Sequence, residues 1–513
     1  MNATAVSALS HRDAKGDPRS GLTRRQLLVR AAAGGGLMVG FHLPGVGESR
    51  AQSATTRYRL TAWIVIGADG SVVLQIPATE MGQGIMTGLA QTMADELRVD
   101  WKQIRVVHAP VDAAHGGTNA GPWGRFTGGS LSTRLFAPGI QQASANAREM
   151  LIAAAKAQGL TGALSADGGY VTNGTSSLGY GALAAAAAKV VLPGNVALNR
   201  YPRRYVGTSA PRVDIPAKID GSAKFGIDTF LPGMVFAAVK HCPTIGGTVG
   251  SIGSKPAGAL AVVPVSIRPG ARASGVAVVA ATTWDAMRAA RSVPVNWELP
   301  VDAASNDSAA IRSRAQWLMA HGTPVVALQS ADAADLGRWL AASQGVIDSS
   351  YSLPFLAHAA MEPLNCTVRY TPGTPGSCEV WAPTQAPDGV LALARRLCPS
   401  GTVVKVTNTL LGGGFGRKFE LDYVHEALQV GLVMPGRAVK LTWSREEDFA
   451  HDMFRPMALS RIRAAVSPST GRITAWSHRI VTPSISAQRG ADPNALDPSA
   501  VDGWTEDALV AAV

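Results

Sequence analysis

The chain has 513 residues, too many for one ordinary domain; at roughly 150 residues apiece, about three domains are expected. Hydrophobic residues make up 46% and charged residues 16% of the sequence, a composition that excludes a disordered or collagen-like protein. The net charge is +11, of which residues 1–60 carry +6. Because no later run of Lys and Arg with interleaved aromatic residues occurs, we expect no nucleic-acid binding.

The N-terminal segment has the pattern of an export signal. Arg24 and Arg25 precede a mildly apolar stretch, residues 31–43, which is shorter than the roughly 20 residues that span a bilayer. Paired arginines in this position resemble a twin-arginine signal, and a disordered basic leader is the alternative. We expect residues 1–52 to be a leader and the mature protein to be periplasmic, either soluble or peripheral to the inner membrane.

Apolar periodicity predicts alternating strands and helices between residues 55 and 205, an α/β domain. The predicted elements, in chain order, are a strand over residues 72–76, a helix over 85–97, a strand over 104–107 and helices over 138–156 and 183–190. Residues 201–216 contain prolines and arginines with little periodicity. They are therefore predicted to form a linker.

The remaining sequence predicts two further regions. Residues 211–300 are rich in β-branched residues and form the second predicted domain; residues 345–513 form the third. The predicted elements are strands over 234–239 and 275–280, then a strand over 403–411, a helix over 421–432 and a strand over 439–443. The predicted fold class is therefore a multidomain α+β protein.

Three glycine-rich loops carry the chemical information. The first glycine loop, residues 80–84, is Glu-Met-Gly-Gln-Gly and lies between a predicted strand and a predicted helix. The second, residues 127–130, is Thr-Gly-Gly-Ser, and the third, residues 412–418, is Gly-Gly-Gly-Phe-Gly-Arg-Lys. Glycine lets the backbone approach a ligand closely, and a helix start favours an anion. Each loop alone is also compatible with a simple turn.

Several common site motifs are missing from the sequence. No CxxC, HExxH or GK[ST] motif occurs, so the usual signatures of zinc, iron–sulfur and P-loop sites are lacking. We interpret Cys242, Cys366, Cys378 and Cys398 as structural residues. His358 and Glu362, in the stretch 357–366, are by themselves only polar residues among apolar ones.

Taken in order, these segments resemble the molybdenum-binding large subunit of the xanthine oxidase family, of the isoquinoline 1-oxidoreductase β-subunit or aldehyde dehydrogenase type. The resemblance rests on the paired-arginine leader, the three glycine loops, Met-Glu-Pro-Leu-Asn-Cys at 361–366 and Trp-Ala-Pro-Thr-Gln-Ala-Pro at 381–387. It implies a cofactor-binding α/β domain at 55–205, a hammerhead-like α/β domain at 211–300 and a molybdopterin-binding domain at 345–513.

The resemblance also implies a molybdenum–molybdopterin cytosine dinucleotide cofactor. The metal is held through the cofactor, so no protein ligand to the metal is expected. Gln385 is expected to bond an oxygen ligand of the metal, and the backbone of Phe415 to lie against it. The implied cofactor-binding residues are Gln83, Gly84, Gly129, Ser130, Gln385, Gly414, Phe415 and Gly416.

The implied reaction is oxidation of an aldehyde or of a carbon in an N-heteroaromatic ring, with water as the oxygen source. Electrons are expected to pass to a separate small [2Fe-2S] subunit, with a cytochrome c as a further acceptor. The family's base glutamate belongs to a Gly-x-Gly-Glu motif near the C-terminus, and the match at residues 45–48 falls in the leader. We therefore expect the 513-residue chain to be truncated, its base to lie beyond Val513, and its turnover to be low.

Two other functions stay open from the sequence alone. One is a catalytically incomplete cofactor-binding fragment or assembly protein that lacks the base. The other is an exported protein that binds polyanions or glycans and uses the loops only as turns. Glu362 is the single carboxylate within the motifs that is a candidate replacement for the base.

Overall fold

The computed structural model describes residues 56–115, 124–198, 202–305, 307–327, 336–343 and 345–485. All of them belong to one compact unit that begins at Thr56. The predicted leader lies outside the described residues. Within the described part of the chain, no helix has the length and apolar character required to cross a membrane.

The described residues form strands and helices in a mixed order. The strands are β1 (Arg57–Thr61), β2 (Ile64–Gly67), β3 (Val72–Ile76), β4 (Ile104–His108), β5 (Ser165–Asp167), β6 (Tyr170–Thr172), β7 (Ser177–Gly179), β8 (Val235–His241), β9 (Thr248–Ile252), β10 (Ala261–Val265), β11 (Gly275–Ala280), β12 (Val295–Glu298), β13 (Val346–Leu353), β14 (Asn365–Thr371), β15 (Ser377–Ala382), β16 (Val403–Asn408), β17 (Ala438–Thr442), β18 (Ala458–Val466) and β19 (Ile473–Val481). The α-helices are α1 (Ile85–Leu97), α2 (Ser132–Ala157), α3 (Tyr180–Ala187), α4 (Ile215–Ile219), α5 (Thr283–Ser292), α6 (Ser308–His321), α7 (Leu336–Ala342), α8 (Pro387–Leu397), α9 (Asp422–Leu432) and α10 (Arg445–Ala450).

The N-terminal sheet has the order β1-β2-β3-β4 and is covered by helices α1, α2 and α3. Strand β3 is buried along its whole length, as its run of Val, Val, Leu, Gln and Ile predicts. Helix α1 crosses over between the parallel strands β3 and β4. Its apolar side chains, including Leu89 and Met93, pack into the core. The first glycine loop therefore lies at the carboxyl end of β3, where the helix begins.

The large sheet has seven strands in the order β10-β11-β8-β17-β14-β15-β16. Its neighbours are antiparallel except for the pairs β8–β17 and β15–β16, which are parallel. Helix α5 packs against β8 and β11, and α9 packs against β14 and β17. Because β15 and β16 are parallel, the loops after both strands leave the same edge of the sheet. These loops contain Gln385 and the third glycine loop.

The large sheet combines strands from two of the predicted domains. Strands β8, β10 and β11 come from residues 211–300, and the other four come from residues 345–513. The parallel pairing of β8 with β17 joins the two groups. The domain boundaries themselves stay a prediction. Smaller sheets complete the fold: β5-β6-β7, β12-β9 and β13-β18-β19.

The predicted elements all occur, with differences at their ends. The helix predicted from residue 138 begins at Ser132, so Pro138 lies inside it. Proline removes one helical hydrogen bond, but Phe136 in the added turn is buried in the core and helps to hold that turn in place. The strand predicted over residues 403–411 ends at Asn408. The chain then turns, and only Leu410 makes a further bridge, to Phe225.

Two helical glycines provide a test of the packing. Gly431 in α9 faces β14, and a Cβ at this position would lie 2.5 Å from Cγ1 of Val368. We expect Gly431→Ala to lower the free energy of unfolding by about 1–3 kcal/mol through overpacking. Gly88 in α1 has open space around its Cα. Gly88→Ala should raise stability by up to about 1 kcal/mol. Urea unfolding followed by circular dichroism measures both changes, and equal effects would contradict the packing of α9.

Candidate functional site

The first glycine loop is organised by a buried carboxylate. Oε1 of Glu80 accepts hydrogen bonds from the backbone N–H groups of Gly82 at 2.9 Å and Gly84 at 3.0 Å, and Oε2 accepts one from Met86 at 3.1 Å. Gly82 and Gly84 have φ angles of 110° and 84°, which favour glycine. Glu80 thus satisfies backbone N–H groups at the start of α1 and fixes the conformation of the first glycine loop. This role of Glu80 was not predicted, although an acidic residue just before a helix is its usual signal in a sequence.

Gln83 lies exposed at the tip of this loop. Its Nε2 donates to the carbonyl of Thr79 at 2.9 Å, and its Oε1 accepts from the N–H of Met81 at 2.8 Å. An amide nitrogen carries two N–H donors, so one donor of Gln83 is left for a ligand. The side chain is held by its own loop and presents a single polar hydrogen outward.

Arg212 braces the first glycine loop from the segment predicted as a linker. Its guanidinium donates to Glu80 Oε1 at 3.3 Å and to the carbonyl of Gly82 at 3.0 Å. It also forms a 2.6 Å ion pair with Asp214, which Lys218 contacts as well. Burial alone would raise the pKa of Asp214, but hydrogen bonds from Arg212 and Lys218 lower it to about 2. The segment that was predicted as a linker therefore also helps to hold the first glycine loop in place.

The second glycine loop lies against the first. The Thr127 hydroxyl accepts from the N–H of Thr79 at 2.8 Å. Gly129 and Ser130 are exposed and have φ angles of 57° and 56°, so two successive residues are left-handed. Among the described residues, no hydrogen bond uses the backbone N–H of either one. The loop therefore presents unpaired donors to its surroundings.

Gln385 ties the second glycine loop to the third. Its buried side chain donates from Nε2 to the carbonyl of Thr127 at 2.8 Å and accepts at Oε1 from the N–H of Gly416 at 3.0 Å. The Gln385 backbone also accepts from the N–H of Thr127 at 2.8 Å. One N–H of the Gln385 amide takes part in no other hydrogen bond of the described residues. Tertiary structure thus places Gln385 where the loops converge.

Close packing explains why the third loop has several glycines. A Cβ on Gly412 would lie 2.5 Å from Cβ of Glu362, and one on Gly414 would lie 2.6 Å from Oε1 of Gln385. The same Gly414 Cβ would lie 3.0 Å from the sulfur of Met81, in the first glycine loop. Phe415 has a φ of 56° and is 71% exposed. The glycines therefore allow the loops to pack closely against each other, and the Phe415 side chain stays exposed.

Glu362 and Lys418 form a buried ion pair beneath the third loop. Lys418 Nζ lies 2.6 Å from Glu362 Oε2, which also accepts from the N–H of Gly412 at 2.9 Å. Glu362 Oε1 accepts from the N–H of Ile227 at 2.9 Å and from Asn365 at 3.2 Å. Burial lowers the pKa of Lys418, and the Glu362 carboxylate opposes that shift.

These contacts correct the expectation that Glu362 is a candidate base. Both oxygens of its carboxylate accept hydrogen bonds, and Oε2 also pairs with the Lys418 ammonium. A general base needs a lone pair directed at the substrate. Glu362 is a structural carboxylate of the third loop.

A second ionic group holds the end of the third loop. Arg417 is buried and forms ion pairs with Asp422 at 2.7 Å and with Asp452 at 3.0 Å. Burial opposes its charge, but the two carboxylates raise the pKa of Arg417 above its ordinary value. His358 Nδ1 lies 2.9 Å from Asp452. His358 thus has a buried carboxylate as its partner.

The structure therefore brings together every predicted site residue. The N–H of Leu411, the residue before the third glycine loop, donates a 3.2 Å hydrogen bond to the carbonyl of Glu80 in the first. The second contacts both through Thr127 and Gln385. The predicted residues in these loops are Gln83, Gly84, Gly129, Ser130, Gln385, Gly414, Phe415 and Gly416. Their roles toward a cofactor stay predictions.

Comparison with known families identifies this arrangement. Residues 15–223 match a molybdopterin cofactor-binding domain, and residues 321–487 match a second molybdopterin cofactor-binding domain. Between them the two matches cover most of the chain, including all three glycine loops and Gln385. The two matches together show that the chain belongs to the xanthine oxidase family of molybdopterin-binding proteins.

Individual relatives agree with this family. The chain is 29% identical to isoquinoline 1-oxidoreductase subunit beta of Brevundimonas diminuta, over 90% of this chain and 64% of the relative. It is 28% identical to the membrane-bound aldehyde dehydrogenase [pyrroloquinoline-quinone] of Gluconacetobacter polyoxogenes, over 95% of this chain and 65% of the relative. The chain thus spans slightly less than two thirds of the length of these relatives.

Among solved structures, quinoline 2-oxidoreductase from Pseudomonas putida 86 is similar, with a TM-score of 0.41 and 20% identity over 54% of this chain and 39% of that chain.

The described residues fit a molybdopterin cofactor on their own chemistry. The loops offer unpaired N–H donors at Gly129 and Ser130 and one amide N–H each at Gln83 and Gln385. Such donors suit the phosphate and pterin groups of this cofactor, and glycine leaves room for them. A metal that is held by the cofactor itself needs no ligand from these loops.

The Glu362–Lys418 pair gives a test of how the third loop is held. Glu362→Gln leaves a buried ammonium without its partner, and we expect a loss of about 3–5 kcal/mol in the free energy of unfolding. The double variant Glu362→Gln/Lys418→Met should lose less than the sum of the single changes. The exposed pair Arg272–Glu298 is the control, since Glu298→Gln should cost less than about 1 kcal/mol. Chemical unfolding is measured for the unchanged chain, for the single variants Glu362→Gln, Lys418→Met and Glu298→Gln, and for the double variant; additive losses would contradict a direct pair.

Proposed function

We propose that this chain is the large subunit of an exported molybdenum hydroxylase that oxidises an aldehyde or a carbon of an N-heteroaromatic ring. The observation that supports this most directly is the meeting of the three glycine loops around the buried amide of Gln385. When bound, molybdopterin cytosine dinucleotide supplies the redox chemistry, with water as the oxygen source and a small [2Fe-2S] subunit, then a cytochrome c, as electron acceptors.

The loops divide the work of holding the cofactor. Gln83 and the N–H groups of Gly129 and Ser130 lie at exposed positions, where they can donate to phosphate and pterin oxygens. Gln385 is buried and keeps one N–H free, so it can orient a polar group that reaches the bottom of the site. Its other contacts prevent the amide from rotating.

An apolar surface beside the third loop suits the proposed substrates. Phe415 is 71% exposed, and Met361, next to the Glu362 that holds the loop, is 88% exposed. An uncharged aldehyde or a flat heteroaromatic ring gains free energy from contact with such side chains. A highly charged substrate would gain nothing from this surface.

We do not assign the role of base to either of the carboxylates that hold the glycine loops. Glu80 accepts three backbone hydrogen bonds, and Glu362 is paired with Lys418. The proposal therefore assigns these two residues to cofactor-loop structure and gives neither of them a proton-transfer step.

The experiment that tests this function measures cofactor and turnover together. We expect the protein, produced with its maturation system and the small subunit, to hold about one molybdenum per chain and to release cytidine monophosphate on acid hydrolysis. Elemental analysis and chromatography measure these quantities. Protein that stays free of molybdenum would contradict the proposal. Molybdenum without reduction of an artificial acceptor, for aldehydes and N-heteroaromatics alike, would instead indicate a cofactor-binding or assembly protein.

Two glycines with matched backbone geometry sharpen the test. Gly129 in the second loop and Gly168 in the β5–β6 turn have φ angles of 57° and 56°; Gly129 is exposed and Gly168 is partly exposed. Valine at either position suffers the same kind of backbone strain. We expect Gly129→Val to lose more than about half of its molybdenum while Gly168→Val keeps it, because only Gly129 faces the cofactor. Equal molybdenum contents would argue against the second loop as a cofactor site.

Export is proposed to use the paired arginines, which lie outside the described residues. Replacing both Arg24 and Arg25 with Lys keeps the charge but removes the receptor-read address. We expect the double variant to stay in the cytoplasm and to strand the small subunit with it. Cell fractionation and immunoblotting measure this outcome, with Arg12→Lys/Arg19→Lys as the control. Normal periplasmic yield of the Arg24/Arg25 variant would rule out this route.

A further inference from the structure

A group of histidines and carboxylates lies away from the glycine loops, where β8 meets α10. His241 ends β8, Glu447 lies in α10, and His451 follows that helix. Nδ1 of His241 lies 2.8 Å from Oε2 of Glu447, and Nε2 of His451 lies 3.3 Å from the same oxygen. One ligand atom from each of the three residues lies within 4.8 Å of the others. Two imidazole nitrogens and one carboxylate therefore meet at one point.

A buried carboxylate orients the first of these histidines. Nε2 of His241, on the far side of its ring, lies 2.7 Å from Oε1 of Glu426. Glu426 is fully buried in α9, and its other oxygen accepts from Trp443 Nε1 at 2.9 Å. Glu426 thereby fixes the orientation of the imidazole ring, so that Nδ1 is directed at Glu447, with which it forms the 2.8 Å ion pair. A metal ion that binds Nδ1 displaces the proton between Nδ1 and Glu447, and the Glu426 contact then holds the ring as in carboxylate–histidine–metal arrangements.

The spacing and exposure of the group fit a small divalent ion. Zinc bonds to His nitrogen and carboxylate oxygen are roughly 2.0–2.2 Å long, so two ligand atoms on one tetrahedral ion lie about 3.3 Å apart. The distance from His451 to Glu447 already has this value, and the distance from His241 needs to widen by about half an ångström. The side chains of Glu447 and His451 are 20% and 17% exposed. Glu447 and Ser444 line a cavity of about 170 Å³, which therefore reaches the carboxylate of the group.

We propose that His241, Glu447 and His451 form a zinc-binding site that is separate from the molybdopterin loops and keeps one coordination position for water. Glu426 and Trp443 orient His241 without contacting the ion. The site joins the carboxyl end of β8, inside the large sheet, to the segment after α10. Two histidines, one carboxylate and one open position are a ligand set that zinc accepts. The proposal does not depend on the function proposed above.

The test uses the untagged full-length chain after treatment with a chelator. We expect one Zn²⁺ per chain in competition with a chromophoric chelator, with a Kd tighter than about 1 μM, and intense visible bands when Co²⁺ replaces it. His451→Ala should weaken zinc binding by about 100-fold or more. Glu426→Gln, which changes no ligand, should weaken it by about 10–100-fold. His478→Ala, which removes an exposed histidine elsewhere, is the control and should leave the affinity unchanged.

The outcomes that overturn the site are distinct. Equal zinc affinity in the unchanged chain, His451→Ala and Glu447→Gln would show that zinc binds elsewhere, and no zinc binding at all would leave the group as an ion-pair network. Thermal unfolding supplies a second readout, since zinc should raise the Tm of the unchanged chain and of His478→Ala but not of His451→Ala. If His451→Ala fails to fold, Glu447→Gln gives the same decision. Because these measurements are made without molybdenum, their outcome is independent of the cofactor assay.

Discussion

The site depends on hydrogen bonds that backbone N–H groups donate to buried carboxylates. A glycine-rich loop loses much conformational entropy when it is ordered, and it has few side chains with which to hold itself. Glu80 supplies this constraint to the first loop with three hydrogen bonds, and Glu362 supplies it to the third with the help of Lys418. In each case a charge is buried, which is tolerated because every oxygen has a partner.

The same arrangement separates the groups that hold the loops from the N–H donors that a ligand can use. The groups that hold the loops are buried, whereas Gly129, Ser130 and Gln83 are exposed and keep unused N–H groups. A site of this kind is organised before its ligand arrives, so less binding free energy is lost in ordering the loops. The family match to molybdopterin cofactor-binding domains agrees with loops that hold a large, anionic cofactor through backbone contacts.

Trp443, which directly follows β17 of the large sheet, lies between two buried ionic groups. Its ring lies 5.4 Å from the Arg417 guanidinium and 4.4 Å from the ring of His241. Arg417 belongs to the third glycine loop, and His241 belongs to the proposed zinc site. One buried aromatic residue therefore contacts both, and its indole N–H orients Glu426. A substitution of Trp443 is therefore expected to disturb the third glycine loop and the His241 group together.

The sequence by itself determined the elements, the glycine loops and the family resemblance. Local patterns suffice for these, because strand and helix periodicity and glycine spacing are properties of adjacent residues, and Ile85–Leu97 and Gly275–Ala280 occur as predicted. Tertiary structure alone decided the role of Glu362, which depends on Lys418, 56 positions away. It also decided the grouping of His241 with Glu447 and the single sheet built from two predicted domains. Burial and ion pairing are set by residues distant in sequence, so no local pattern records them.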